Sequence, residues 1–304
     1  MLVFTRDARL IGFLFLSVTV CGWALNWPAI KFLLREWPPL FSRGVAGVAA
    51  ALILAAIALS RRESLHVPRR DWLRLAFAAF TNVFAWMGFG TMVMQHLSIS
   101  EGSLLAYTMP IWTMLFAWPV LGQRPSLRGV AAVILGSAGI LVLFSGQLTA
   151  GTGFALGPDK TLGVVLALAA AIFFALGSVL NAPLPLKPIP LAAWQVGLGC
   201  LPMIALGLAF EHPDFGALTA SGWSVLIYMI VGPMGLCYLT WFAALERLPP
   251  TTATMGTLGV PVIGVIAGAV TLGEPLGLRE VAAAGLTLAG VALALRRTPP
   301  PPIE

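Results

Sequence analysis

Of the 304 residues, 59% are hydrophobic and 10% charged, and the mean hydropathy is +0.92. Soluble domains carry about 25% charged residues, so this composition excludes a soluble enzyme or binding module and predicts a polytopic membrane protein. The formal net charge of +6 sits in short loops and not in a basic domain, which gives no reason to expect a nucleic-acid partner.

A helix crosses about 30 Å of hydrocarbon with roughly 20 apolar residues. Ten segments meet that length: 10–30, 40–60, 73–95, 102–121, 127–146, 161–181, 189–210, 221–245, 252–272 and 279–296. The first follows Arg6 and Arg9 and continues through Trp23 and Trp27 without a small-x-small cleavage site. It is therefore expected to stay as an anchor and not to be removed as a signal peptide. Arg61, Arg62, Arg69, Arg70 and Arg74 crowd the loop between the second and third segments. Lys and Arg favour the loops on the same side as both ends, which places both termini in the cytoplasm. The same arginines could also attract anionic membrane lipid. The tail Pro299-Pro300-Pro301-Pro302 cannot be helical and is expected to be disordered.

The chain is one sequence written twice. Adding 151 carries Gly12 to Gly163, Pro39 to Pro190, Trp72 to Trp223, Leu97 to Leu248 and Pro110 to Pro261. It also carries Leu121-Gly122 to Leu272-Gly273, Leu127-Arg128 to Leu278-Arg279 and Gly139 to Gly290. Residues 1–150 form one repeat and 151–304 the other, joined by the Gly-rich stretch Gly146 to Lys160. Five spans is an odd number, so the second repeat enters the membrane upside down. The expected fold is all-α: ten transmembrane helices, two inverted five-helix repeats, and a central cavity. Inverted repeats are a construction principle of secondary transporters, with the substrate near the midplane. Gly264 and Gly268 form a GxxxG pair whose repeat mates, Thr113 and Ala117, are also small. Such a face serves either packing of the fourth helix on the ninth or a dimer interface.

No Asp, Glu, Lys or Arg lies in the middle of a segment. Glu101, Glu246 and Glu274 stand at segment ends, and Arg43 and Arg128 at segment starts. Ionisable groups inside membranes usually mark proton relays or ion sites. Their absence argues against a carboxylate-based proton cycle and in favour of uncoupled transport or exchange. It also argues against strongly anionic substrates. His96 and Glu101 are the nearest approach to a titratable pair, at the water interface.

The expected translocation path is neutral, polar and aromatic. Its candidate lining is Trp23 and Asn26 on helix 1, Asn82 and Trp86 on helix 3, and Tyr107 and Thr108 on helix 4. In the second repeat it is Ser178 on helix 6 and Tyr238 and Trp241 on helix 8. Asn82 and Trp86 are four apart, as are Phe174 and Ser178, and such pairs share a helix face. An Asn in hydrocarbon needs partners for its amide, so it faces the protein interior or water. Aromatic walls stack on side chains, and amides and hydroxyls bond a zwitterion. Trp37, Trp72, Trp118, Trp194 and Trp223 lie near segment ends and are read as the interfacial belt. Pro110 and Pro261 interrupt helices 4 and 9 and are candidate hinges.

An integral-membrane enzyme is disfavoured, because HExxH, GxSxG and an embedded Asp pair are all missing. A channel fits inverted repeats less well than a carrier does. Cys21, Cys200 and Cys237 lie inside apolar segments with no metal-ligand spacing, so no metal or other cofactor is expected.

The run Ser100 to Pro110 followed by Leu121-Gly122-Gln123, with its second copy Thr251 to Pro261 and Leu272-Gly273-Glu274-Pro275, resembles the fourth-helix signature of EamA-type transporters of the drug/metabolite transporter superfamily. Gln123 departs from the usual Leu-Gly-Glu. Cys21-Gly22-Trp23-Ala24-Leu25-Asn26 is similar to the Trp-Gly pattern of helix 1, with the order altered. Within the family the chain looks most like YddG-type aromatic amino-acid exporters. The resemblance implies an inner-membrane carrier exporting small metabolites, above all neutral or aromatic amino acids, by alternating access. The alternative is a carrier for another metabolite class with proton coupling.

Overall fold

A computed structural model describes residues 6–124, 126–149, 157–181 and 184–295. The Pro299–Pro302 tail and residues 150–156 of the Gly146–Lys160 connection lie outside them. No strand occurs among the described residues. The helices are α1 (Arg6–Leu33), α2 (Pro39–Ser60), α3 (Arg69–His96), α4 (Ile99–Leu121) and α5 (Leu127–Thr149) in the first half. The second half has α6 (Pro158–Leu180), α7 (Pro188–Phe210), α8 (Ala220–Leu245), α9 (Pro250–Gly256 continued by Gly259–Leu272) and α10 (Leu278–Leu295). Among the described residues, nine helices are long and apolar enough to cross a membrane. Leu278–Leu295 occupies the tenth expected position and is not one of those nine.

Local chemistry sets the helix ends. Ser98 caps α4 by accepting from the Glu101 N–H at 3.1 Å, while the Glu101 carboxylate accepts from the Ser98 N–H at 2.9 Å. Pro39, Pro158 and Pro188 begin α2, α6 and α7, where a missing N–H costs nothing. α4 and α9 both end on a left-handed glycine, Gly122 at φ 70° and its repeat mate Gly273 at φ 68°.

Two irregularities recur in both halves at matching positions. α3 is π-helical over Phe80–Phe89, and α8 over Gly232–Leu236. α4 is interrupted at Tyr107-Thr108 and α9 at Thr257-Leu258, each just before its proline. Pro110 and Pro261 cannot donate to the carbonyl four residues back. The chain closes these turns with shorter bonds, Thr108 N–H to Leu105 at 3.2 Å and Val260 N–H to Thr257 at 3.0 Å.

The helices pair as a twofold rotation would exchange them. α2 packs on its own repeat mate α7, and α5 on α10. α1 lies against α8 and α9, and its mate α6 lies against α3 and α4. The close approaches repeat accordingly. A Cβ on Gly290 would stand 2.7 Å from the Ala132 carbonyl, and one on its mate Gly139 would stand 2.9 Å from the Ala283 carbonyl. A Cβ on Gly12 would stand 2.8 Å from Leu248, and one on Gly163 would stand 2.7 Å from Leu97. The GxxxG face of α9 does not meet the second half of α4. Gly264 packs on Trp27 of α1, and Gly268 on Ile99 at the start of α4. The self-paired helices are α2/α7 and α5/α10 because their glycines bring backbones together.

Candidate functional site

At the level of the helix breaks the bundle encloses a cavity of about 440 Å³. Trp23, Asn26, Asn82, Trp86, Tyr107, Tyr238 and Trp241 line it. The breaks and the turns beside them contribute Ala106, Tyr107 and Met109 from α4 and Thr254 and Thr257 from α9. The π-helical turn of α8 contributes Pro233 and Met234. A π turn re-aims side chains and frees a carbonyl. Here the Pro233 carbonyl accepts from the Trp23 indole N–H at 3.1 Å.

The wall is two aromatic clusters. Trp23 meets Trp241 at a ring separation of 5.7 Å and Tyr238 at 6.1 Å. Opposite, Trp86 meets Phe174 at 5.0 Å and Tyr107 at 6.0 Å. These offset and edge-on rings form a rigid apolar surface. The Asn82 amide donates to Gln195 of α7 at 3.4 Å. Gln195 was not foreseen from the sequence, and only its position about two turns inside an apolar segment could have singled it out.

Two expected lining residues lie elsewhere. Thr108 is buried outside the cavity, donating to the Leu105 carbonyl at 2.6 Å and accepting from the Trp112 indole at 3.2 Å. The break in α4 turns its hydroxyl back onto its own helix. Ser178 is exposed and donates to the Phe174 carbonyl at 2.9 Å. Phe174 spans the gap to Trp86 with a large ring, while the short Ser178 side chain sits a turn away and faces outward.

One basic residue does reach the cavity. Arg43 lies in the second turn of α2, is 5% exposed and lines the wall. The expectation that no cation sits deep in the pathway is therefore corrected. α2 begins at Pro39, and its packing against α7, with α3 and α8 alongside, encloses a side chain that a segment start would have left at the interface. The wall contains no Asp or Glu among the described residues.

Beyond the cavity toward the α1–α2 and α3–α4 connections, Leu33, Met94, Leu97, Ile99 and Leu104 are buried. A polar latch covers this apolar layer. Lys31 pairs with Glu274 and also donates to the Leu97 carbonyl at 3.0 Å. The second Glu274 oxygen accepts from the Ile99 N–H at 2.7 Å. His96 and Glu101 do not pair with each other. His96 meets Asp159 at 2.6 Å, and Glu101 takes Lys160 at 2.8 Å. Trp37, assigned to the interface, is buried and donates to the Asp214 carbonyl at 2.9 Å.

The sequence pattern of the EamA-like transporter family matches residues 10–145 and again residues 161–296. The chain belongs to the EamA-like transporter family. This EamA-like chain is thus a multi-pass membrane transporter built from a duplicated unit. It is similar to the uncharacterized transporter YvbV of Bacillus subtilis, 28% identical over 293 residues, covering 95% of this chain and 91% of that one. It is 28% identical over 295 residues to a probable amino-acid metabolite efflux pump of Salmonella typhimurium, covering 93% and 94%. The uncharacterized inner membrane transporter YedA of Escherichia coli is 27% identical over 298 residues, covering 95% and 92%. A solved crystal structure 21% identical in sequence shares the fold with a TM-score of 0.64, covering 95% of this chain and 96% of that one.

Proposed function

We propose that this EamA-like protein is an inner-membrane carrier that exports small metabolites, neutral or aromatic amino acids above all, by alternating access. The carrying observation is the cavity itself. It sits where broken helices and π-helical turns of both halves converge, and discontinuous helices at a repeat interface are the usual substrate site of secondary transporters. Its paired aromatic clusters suit an apolar or aromatic side chain, and its amides suit a polar headgroup. The Salmonella relative's name, an amino-acid metabolite efflux pump, points the same way.

In this reading the two halves, 1–150 and 151–304, are inverted in the membrane as ten spans, with both termini cytoplasmic. The latch side then faces outward, and this conformation is closed to the exterior. Pro110 and Pro261 serve as hinges at which the two mouths open in turn. Transport is uncoupled or by exchange, because among the described residues the cavity wall offers no carboxylate to carry a proton.

The test is uptake of a labelled amino-acid panel into liposomes containing the purified protein, with and without a proton gradient. Saturable uptake of neutral or aromatic amino acids, indifferent to the gradient, is expected. Gradient-driven uptake would overturn the uncoupled reading, and no uptake by folded protein would overturn the substrate class.

A further inference from the structure

Arg43 has an unfinished set of bonds. One guanidinium nitrogen donates to the Asn26 side-chain oxygen at a long 3.5 Å, and Nε has no hydrogen-bond partner. Among the described residues no ion pair includes Arg43. The neighbouring acid, Glu211, is already committed one turn away. Its two oxygens accept from the Leu40 and Phe41 N–H groups at 3.0 and 2.9 Å and hold the start of α2.

A buried cation without a counter-charge is costly in a membrane, and arginine normally escapes by extending its side chain to the interface. Arg43 is prevented from doing so. The glycines beside it, Gly44 and Gly47, let α2 close onto Ile204 and Cys200 of α7. The guanidinium is thereby fixed at the cavity wall beside Asn26. Its planar fork matches a carboxylate in two parallel hydrogen bonds.

We propose that Arg43 is the anion-recognition point of the cavity and takes the carboxylate of the transported molecule. This deepens, and rests on, the amino-acid reading above. The carboxylate supplies the missing counter-charge, and Trp23 and Trp86 flank the apolar part. Selection is then for carboxylate-bearing aromatic molecules and against amines and amides of the same shape.

The experiment uses the purified full-length protein in detergent. Thermal stabilisation and tryptophan fluorescence are titrated with phenylalanine, 3-phenylpropionate, phenylalaninamide and phenethylamine. Wild type is expected to bind the two carboxylates roughly ten- to a hundredfold more tightly than the amide and the amine. Arg43→Gln is expected to erase that preference, and Arg43→Lys to keep part of it. Equal binding of all four probes by wild type, binding of none, or an intact preference in Arg43→Gln would each overturn the proposal. If Arg43→Gln does not fold, the wild-type preference and Arg43→Lys still decide it. Arg43-dependent binding of 3-phenylpropionate without phenylalanine transport would keep the carboxylate site and remove the amino-acid reading.

Discussion

The Lys31 ammonium stands 2.5 Å from the Glu274 carboxylate, tying the end of α1 to the end of α9. Through the Leu97 carbonyl and the Ile99 N–H, the same two side chains also hold the α3–α4 turn. The repeat mates of these residues are Ala182 and Gln123, which carry no charge. The latch therefore belongs to one mouth only. Glu274→Gln keeps the shape and removes the charge. It is expected to weaken the closed state by about 1–2 kcal/mol. The measure is alkylation of a cysteine placed at Leu33 in a Cys21→Ser background, expected to rise about tenfold. An unchanged rate would mean that the latch does not hold the mouth.

The breaks in α4 and α9 set a second expectation. Pro110→Ala restores an N–H that can reach the Ala106 carbonyl, and Pro261→Ala does the same for Thr257. Each should lengthen a continuous helix, raise the unfolding temperature and lower turnover roughly tenfold by stiffening the hinge. Retention of wild-type flux by both variants would remove the hinge role.

The displaced candidates make a sharp control. Ser178→Ala alters an exposed hydroxyl bonded only to its own helix. It should leave transport within about twofold of wild type, as surface changes usually do. Thr108→Val breaks the bonds to Leu105 and Trp112. It should lower stability by about 1–3 kcal/mol while leaving substrate affinity unchanged. A raised KM in Ser178→Ala would put that residue back on the path.

The α5–α10 seam should be intolerant of a single methyl group. A Cβ on Gly290 would meet backbone, the Ala132 carbonyl at 2.7 Å and the Gly136 nitrogen at 2.8 Å. Backbone cannot step aside, so Gly290→Ala is expected to destabilise by on the order of 1–3 kcal/mol. Gly285, on the same helix, has nothing within 4 Å. Gly285→Ala should be neutral or stabilising by up to about 1 kcal/mol. Differential scanning fluorimetry of the two variants separates these outcomes.

Much of this molecule can be read from its sequence. Apolar run length marked the spans, and the constant offset paired Gly139 with Gly290 and Pro110 with Pro261. Most of the cavity wall was legible because Trp and Asn deep in an apolar segment have few other places to go. What failed depended on tertiary packing. Arg43 sits at a segment start, where a basic residue ordinarily meets water, and the close packing of α2 on its neighbours, α7 above all, buries it. Ser178 shares a stripe with Phe174, but a stripe does not say how far each side chain reaches. Thr108 satisfies itself locally, which no spacing rule reveals. The π-helical turn at Phe80–Phe89 contains no proline to announce it, whereas Gly232-Pro233 marks the one in α8.

The central claim is that a substrate is carried through the aromatic cavity by alternating access, and counterflow tests it most directly. Proteoliposomes preloaded with unlabelled phenylalanine are diluted into labelled phenylalanine, for wild type and for Trp23→Ala, Asn82→Ala and Tyr107→Ala. The prediction is a transient, saturable overshoot of label in wild type, reduced about tenfold or more in the three variants at equal incorporation. A flux that does not saturate and is indifferent to the internal amino acid would contradict the claim, as would an overshoot that the three variants leave unchanged.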